Sequence, residues 1–365
     1  MAGGTVVSYV TKTELGHDAG VKHLDPAVKA ALFSALENDG VYDVPGERAW
    51  FEKGDYPGGS TSPIVQILET TDTTTVTTDS SLKAIIMNDR GGTGHELDVS
   101  GGNNNEFIAM GNGGDTVKLF DSGNDTVYGG TGRDLIDARG SSGNDSLLGG
   151  GGNDTIWGGA GHDTLRGGGG KDELHSGSTH GGYNVLYAGA GADTLYGGGG
   201  ADSLYGGSGQ DSLVAGAGMH QLLQAGSGNT VLVDTVAASG GTDTLIGGAG
   251  NDTITGQQGD HLEDTGPAGS KNQFWLYGSG TGSSTLQGGA GNDTFHIETT
   301  TGNDTITGGG GHDVVDLDKQ SFTDLQDIQV HGSGSYTLVF SDNQHITVNG
   351  ISNIHFSDNV NLKLP

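Results

Sequence analysis

The sequence predicts an all-β fold, a parallel β-solenoid flanked by a small N-terminal cap containing one helix and by a C-terminal β cap. Three observations predict it. The nonapeptide GGxGxDxUx, with U a large apolar residue, recurs through the middle of the chain, as in Gly149-Gly150-Gly151-Gly152-Asn153-Asp154-Thr155-Ile156-Trp157 and the two copies that follow without a gap. A fixed short period marks units that stack to bury apolar residues none can bury alone. Glycine supplies 73 of the 365 residues and cysteine none, which excludes disulfides and thiolate metal sites. The segments before and after the repeats differ in composition, with fewer glycines and no GGxGxD.

Residues 1–90 are the predicted cap. Asp25 as N-cap and Pro26 at the first helical position open a helix through Ala27 to Glu37 that ends near Asn38-Asp39-Gly40. Strands are predicted from Ile64 to Leu68, Thr73 to Thr77 and Leu82 to Met87, and short strands between Leu97 and Val117 lead into the solenoid. Trp50, Phe51 and Tyr56, gathered around Gly54, either pack this cap on the first coil or form an aromatic platform for a sugar.

Residues 91–316 are the predicted solenoid. Six of the nine repeat positions form a turn in which glycine reaches φ > 0 cheaply. The other three form a strand whose central residue points inward, namely Leu147, Ile156, Leu165, Leu174, Leu195, Leu204 and Leu213. Two nonapeptides make one flattened coil, so Asp145 stacks on Asp163, Asp154 on Asp172 and Asp193 on Asp211. Carboxylates held about 4.7–4.9 Å apart repel one another, and no row of Lys or Arg follows them in phase. A divalent cation answers that repulsion. Oxygen donors on flexible glycine turns suit calcium better than the strict octahedron of magnesium.

These consecutive copies resemble the RTX, or haemolysin-type, calcium-binding family, with degenerate units extending the likeness from Met110 to Asp316. The resemblance implies a right-handed parallel β-roll holding several Ca²⁺ ions, one between coils eighteen residues apart, bound by sixth-position side chains and turn carbonyls. The ligands it implies are Asp115, Asp125, Asp134, Asp145, Asp154, Asp163, Asp172, Asp193, Asp202, Asp211, Asp243, Asp252, Asp293, Asp304 and Asp313, with Asn184 offering an amide oxygen. His220, Thr230, His261 and Ser284 stand at the sixth position of degenerate units, which implies missing ions there. Two calcium-rich stacks are expected, Asp115 to Asp211 and Asp293 to Asp313. Between them, from Met219 to Leu286, coils resting on apolar packing alone are expected, with Leu222, Leu232, Leu245, Ile254 and Leu286 inside. Extra residues at Ala138-Arg139, Ser176 to Ser178 and Asp234 to Ala237 read as bulged turns.

Residues 317–365 are the predicted C-terminal cap, with strands from Tyr336 to Phe340, His345 to Val348 and Ile354 to Phe356. In RTX proteins such tails close the roll and carry an uncleaved type I secretion signal. Here the ending Asn361-Leu362-Lys363-Leu364-Pro365 lacks the acidic-then-apolar tetrapeptide of some family members.

Fifteen Lys plus Arg against 45 Asp plus Glu leave a formal charge of −30. That balance excludes nucleic acid and anionic membranes as direct partners. There is no transmembrane segment, because no apolar run is long enough to span a bilayer. Met1-Ala2-Gly3-Gly4-Thr5 does not open a cleavable secretory leader. Without calcium the charged, glycine-rich repeats are expected to stay unfolded, and ion binding is then coupled to folding. Such a chain stays threadable in a calcium-poor cytosol and folds outside the cell, where calcium modules bind at about 10⁻⁴–10⁻³ M.

No HExxH and no GxSxG occurs, and the many GxGxxG strings follow from composition. His162, His175, His296 and His312 are expected as exposed fillers. Outward Thr155, Thr164, Thr194, Thr244, Thr253, Thr294 and Thr305, with Trp157, Tyr187, Tyr196 and Tyr205, either record β-propensity or make a flat binding face. The expected function is that of a secreted, non-enzymatic, calcium-binding structural protein of the bacterial surface or biofilm matrix that assembles with itself. Two other readings stay open. One is a polysaccharide-binding or adhesin module, or the calcium-binding accessory of a polysaccharide-modifying enzyme such as an alginate epimerase. The other is an enzyme with its site in the N-terminal segment.

Overall fold

Three-residue strands such as Thr155–Trp157 can bury only their middle side chain, so the fold is decided by what each strand stacks on. In the computed structural model of this chain the described residues are 94–365, apart from 178–181, 235–240, 279–281, 299–300, 333 and 365, together with 5–10, 26, 29–32, 49–53, 64–68, 74–77 and 82–87. They form an all-β parallel solenoid. Two compact units divide the chain, Met1–Val185 and Leu186–Pro365.

Within the first unit each coil gives one strand to each of two parallel sheets. One sheet runs Ala49–Lys53, Ile64–Leu68, Leu82–Met87, Phe107–Ala109, Thr126–Thr131, Ser146–Gly151 and Thr164–Gly170. Its first edge is covered by the antiparallel strand Thr5–Val10. The other sheet runs Thr74–Thr77, Glu96–Ser100, Thr116–Phe120, Leu135–Asp137, Thr155–Trp157 and Glu173–His175. Register sets like on like: Val117, Ile136, Ile156 and Leu174 form one inward column, and Val127, Leu147 and Leu165 the other. All seven are buried. Each contributes roughly 1.5–3 kcal/mol by leaving water, a gain realised only when neighbouring coils cover it.

Parallel stacking thus reaches upstream of the repeats, on coils whose β-branched and aromatic residues need no GGxGxD turn. Of the predicted helix, residues 26 and 29–32 are helical and Leu32 is buried; its remainder, with Asp25, lies outside the described residues. Trp50 and Phe51 sit on the strand Ala49–Lys53. Their side chains, like Tyr56, lie outside the described residues.

The second unit repeats the plan. One sheet holds Ser203–Gly209, Leu222–Gln224, Thr244–Gly247, His261–Asp264, Thr285–Gln287, Asn303–Thr307 and His345–Asn349. The other holds Thr194–Tyr196, Ser212–Val214, Val231–Val233, Thr253–Gln257, Gln273–Tyr277, Thr294–Ile297, Val314–Leu317 and Asn353–Phe356. Inside, Phe274 stacks on Phe295 with ring centroids 4.8 Å apart. The inward residue of Leu222–Gln224 is Leu223, fully buried, whereas the expected Leu222 is partly exposed.

Beyond Asp316 one more coil follows before the pattern changes. Ser335–Phe340 lies antiparallel to His345–Asn349 and to the outer strand Leu325–Gly332, while Asn361–Lys363 lies antiparallel to Asn353–Phe356. The parallel strands at this end are therefore covered, and the outer edges pass to the antiparallel strands Leu325–Gly332 and Asn361–Lys363.

Candidate metal centre

The sixth repeat residue closes each turn and starts each strand, and its carboxylate is drawn inward. Asp115, Asp125, Asp134, Asp145, Asp154, Asp163, Asp172, Asp193, Asp202, Asp211, Asp243, Asp252, Asp293, Asp304 and Asp313 are all buried. Within each unit Oδ1 atoms of these acids form a ladder, accepting the backbone N–H of the column residue one coil earlier. Asp134 Oδ1 accepts from Asp115, Asp154 from Asp134, Asp172 from Asp154, Asp145 from Asp125 and Asp163 from Asp145, all at 2.8 Å. In the second unit Asp211 accepts from Asp193 at 3.0 Å and Asp313 from Asp293 at 2.9 Å.

A second ladder, not anticipated from the sequence, runs the other way. The fifth-position Asn124, Asn144, Asn153, Asn251 and Asn292 each accept, through Oδ1, the N–H of the fifth residue in the next coil, at 2.7–2.9 Å. Together the ladders fix the turn backbones of adjacent coils to each other from both directions.

The other carboxylate oxygen behaves differently. At Asp115, Asp163, Asp202 and Asp252, Oδ2 accepts the N–H of the glycine four residues earlier, at 2.9 Å. At Asp125, Asp134, Asp145, Asp154, Asp211, Asp293 and Asp313, Oδ2 is buried and meets no hydrogen-bond donor. The first glycine of the repeat closes over this atom. A Cβ added at Gly129 would come within 2.8 Å of Asp134 Oδ2, and one at Gly288 within 2.7 Å of Asp293 Oδ2.

Burial pushes these acids upward: Asp134 and Asp293 to about 7, and Asp145, Asp211 and Asp243 to about 6. Asp154, Asp252, Asp260 and Asp313 move the same way for the same reason. Among the described residues the Lys and Arg ion pairs engage other acids. Lys118 pairs with Glu96 and Asp98, Arg139 with Asp137 and Lys319 with Glu298, while His95 lies 3.3 Å from Asp115. Rows of buried anionic oxygens without donors, in an all-oxygen setting, fit calcium. When bound, the ion supplies the positive charge that these oxygens otherwise lack.

The degenerate units show which half of the aspartate's task each substitute keeps. Asn184 Oδ1 accepts from Asp163 N–H at 2.7 Å, and Asn272, which the spacing did not single out, accepts from Asp252 N–H at 2.8 Å. Both preserve the ladder and lose the anionic oxygen. Thr230 and Ser284 hold the sixth position as expected, their N–H groups donating to Asp252 and Asp304. Two placements are corrected: Gln221, not His220, and Asp260, not His261, stand in the column, since Gln221 N–H donates to Asp243 Oδ1 and Asp243 N–H to Asp260 Oδ1. Nor do the coils from Met219 to Leu286 rest on apolar packing alone. Asp234, Asp243, Asp252, Asp260 and Asp264 are all buried there.

Two of the four histidines are corrected as well, while His162 and His312 are exposed as expected. His175 stacks on Trp157 at 3.5 Å and His296 on Trp275 at 3.8 Å, each half-buried rather than an exposed filler, while His162 lies against Tyr183.

Two substitutions separate the two tasks of one residue. Asp154→Asn is expected to keep the bond to Asp134 N–H and weaken calcium uptake with little loss of melting temperature in saturating calcium. Asp154→Ala also strands that buried N–H, at about 1–3 kcal/mol. Calorimetric calcium titrations and thermal melts of both variants check this, and equal melting temperatures would remove the ladder role.

Comparison with known sequences agrees with the geometry. The RTX calcium-binding nonapeptide repeat matches residues 121–140, 139–174, 180–218, 229–260, 279–297 and 296–321. Across residues 121–321 the chain therefore carries RTX calcium-binding repeats. A search of curated proteins gives no match to the chain.

Proposed function

We propose that this calcium-binding repeat protein is a secreted, non-enzymatic structural component of a bacterial surface or extracellular matrix, which folds and assembles as it takes up calcium outside the cell. The observation that carries this reading is the column of buried, donor-free Oδ2 oxygens, because it makes the fold conditional on a divalent ion that the cytosol keeps scarce. No helix among the described residues is long and apolar enough to cross a membrane. Self-association is supported by the outer strand Leu325–Gly332, an edge that carries exposed Val330. Light scattering tests it: particle size is expected to grow when calcium is added, and a protein that stays monomeric at high concentration in calcium overturns the assembly.

A second reading, polysaccharide binding, is favoured by the stacked outward rings Trp157–His175, Trp275–His296 and Tyr187–Tyr205. Tyr205 shares a face with Tyr187, whereas Tyr196 lies in the opposite sheet. Retention on an alginate resin that Trp275→Ala abolishes would support this reading over the first.

A further inference from the structure

The repeat offers one side-chain carboxylate per turn, with glycine, serine or threonine at the place four residues earlier, as Ser141 before Asp145, Gly159 before Asp163 and Gly198 before Asp202. At the first repeat turn of the column that continues through Asp145 and Asp163, that place is Asp121, ahead of Asp125. One coil further upstream the same column begins with Glu106, whose N–H donates to Asp125 Oδ1 at 2.8 Å. One ligand atom each from Glu106, Asp121 and Asp125 lies within 4.8 Å of the others, and all three residues are buried. Asp121 is only 8% exposed, yet neither of its oxygens meets a hydrogen-bond donor at bonding geometry.

We propose that Glu106, Asp121 and Asp125 form a three-carboxylate calcium site, distinct from the repeat sites, which draw on two sixth-position side chains of adjacent coils, and filled before them. Calcium–oxygen distances of about 2.3–2.6 Å allow two ligand oxygens of one ion to stand up to roughly 5 Å apart, which accommodates this cluster. Three formal negative charges gathered on one ion bind it more tightly than the two of stacked sixth-position acids supplemented by carbonyl oxygens, because affinity in calcium sites follows ligand charge count. Nothing structural demands an acid at residue 121. Its backbone is not in the left-handed region, and the next coil builds the same turn with Ser141, whose neighbour Ser142 donates its N–H to Asp121 O at 3.0 Å. The site also reaches the rest of the column, since Asp125 N–H donates to Asp145 Oδ1. This inference does not depend on the matrix or surface role.

The experiment is a titration of the full chain, stripped of metal, with Ca²⁺ alone in competition with a chromophoric chelator. Wild type is expected to show one tight class of site, at least tenfold stronger than the remaining sites. Asp121→Ser, which copies the serine of the next coil, and Asp121→Asn are each expected to abolish that class while the weaker class and the calcium-induced circular dichroism persist. A tight class that survives both variants overturns the proposal, as does a wild-type isotherm with a single class. Total absence of calcium uptake in wild type would instead sink the calcium reading of the repeats themselves. Glu106→Gln gives the independent check from the neighbouring coil, with the same loss expected.

Discussion

Chelating calcium at about pH 7.5 is expected to unfold the repeat coils, and acidifying the calcium-free protein to about pH 4 is expected to restore part of their structure. Both effects arise from the same buried oxygens. Burial raises the folded-state pKa of Asp134 and Asp293 to about 7 and of Asp145, Asp211 and Asp243 to about 6, against roughly 3.9 in an unfolded chain. The ion-free fold therefore holds more protons than the unfolded chain between those values. Its stability is fullest below the unfolded pKa and is lost as pH rises through 6 to 7. The formal charge of −30 adds repulsion in the same direction. Calcium reverses the slope, because it binds the deprotonated carboxylates and must displace protons, so its apparent affinity falls as pH is lowered through the same window. Far-UV circular dichroism and protease resistance, followed against pH with and without millimolar calcium, read the two opposite trends. A metal-stripped protein that keeps its β signal and resists protease at neutral pH would remove the coupling between ion and fold.

The sequence made the sixth-position acids legible because an unbroken nine-residue count keeps Asp145, Asp154, Asp163 and Asp172 in phase. Counting failed where turns absorb insertions. Gln221 pairs with Asp243 across 22 residues and Asp243 with Asp260 across 17, so a fixed period slides by one and selects His220 and His261. A local signal survives the insertions: the column residue always stands two before a fully buried apolar one, as Gln221 before Leu223, Asp260 before Leu262 and Asn272 before Phe274. The doublet Leu222-Leu223 hid that signal, since either residue satisfies an apolar pattern. What no pattern displayed is the division of labour within one carboxylate, Oδ1 on the ladder and Oδ2 without a donor. Asparagine can take over the first and not the second, which accounts for Asn184 and Asn272 persisting in the column. The cluster of Glu106, Asp121 and Asp125 was equally hidden, because Glu106 precedes the first recognisable repeat and enters the site only through coil stacking.

Gly152→Ala is expected to be among the most damaging single substitutions in the repeats, and Gly169→Ala, seventeen residues on, to be nearly silent. Gly152 holds φ at +134°, and a Cβ there would overlap the carbonyl oxygen of Gly132 in the preceding coil. Gly170, one coil later with φ at +136°, would collide in the same way with Gly152 O. The fourth repeat position thus needs glycine twice over, for a backbone region closed to other residues and for the closeness of adjacent turns. Strain of that kind costs about 1–3 kcal/mol. The overlap adds about 1–3 kcal/mol more, because a backbone oxygen cannot rotate out of the way. Gly169, by contrast, has no atom within 4 Å of an added Cβ and no positive φ, so alanine there removes unfolded-chain freedom without a native cost and is worth about 0.4–1 kcal/mol of stabilisation. Because the Oδ1 ladder and the donor-free oxygens depend on the distance between coils, Gly152→Ala should also weaken calcium binding at Asp134 and Asp154, although it removes no ligand. Thermal melts in saturating calcium, paired with calcium titrations, separate the two variants. Equal melting temperatures would mean that coil spacing is set by the apolar columns and not by the turns.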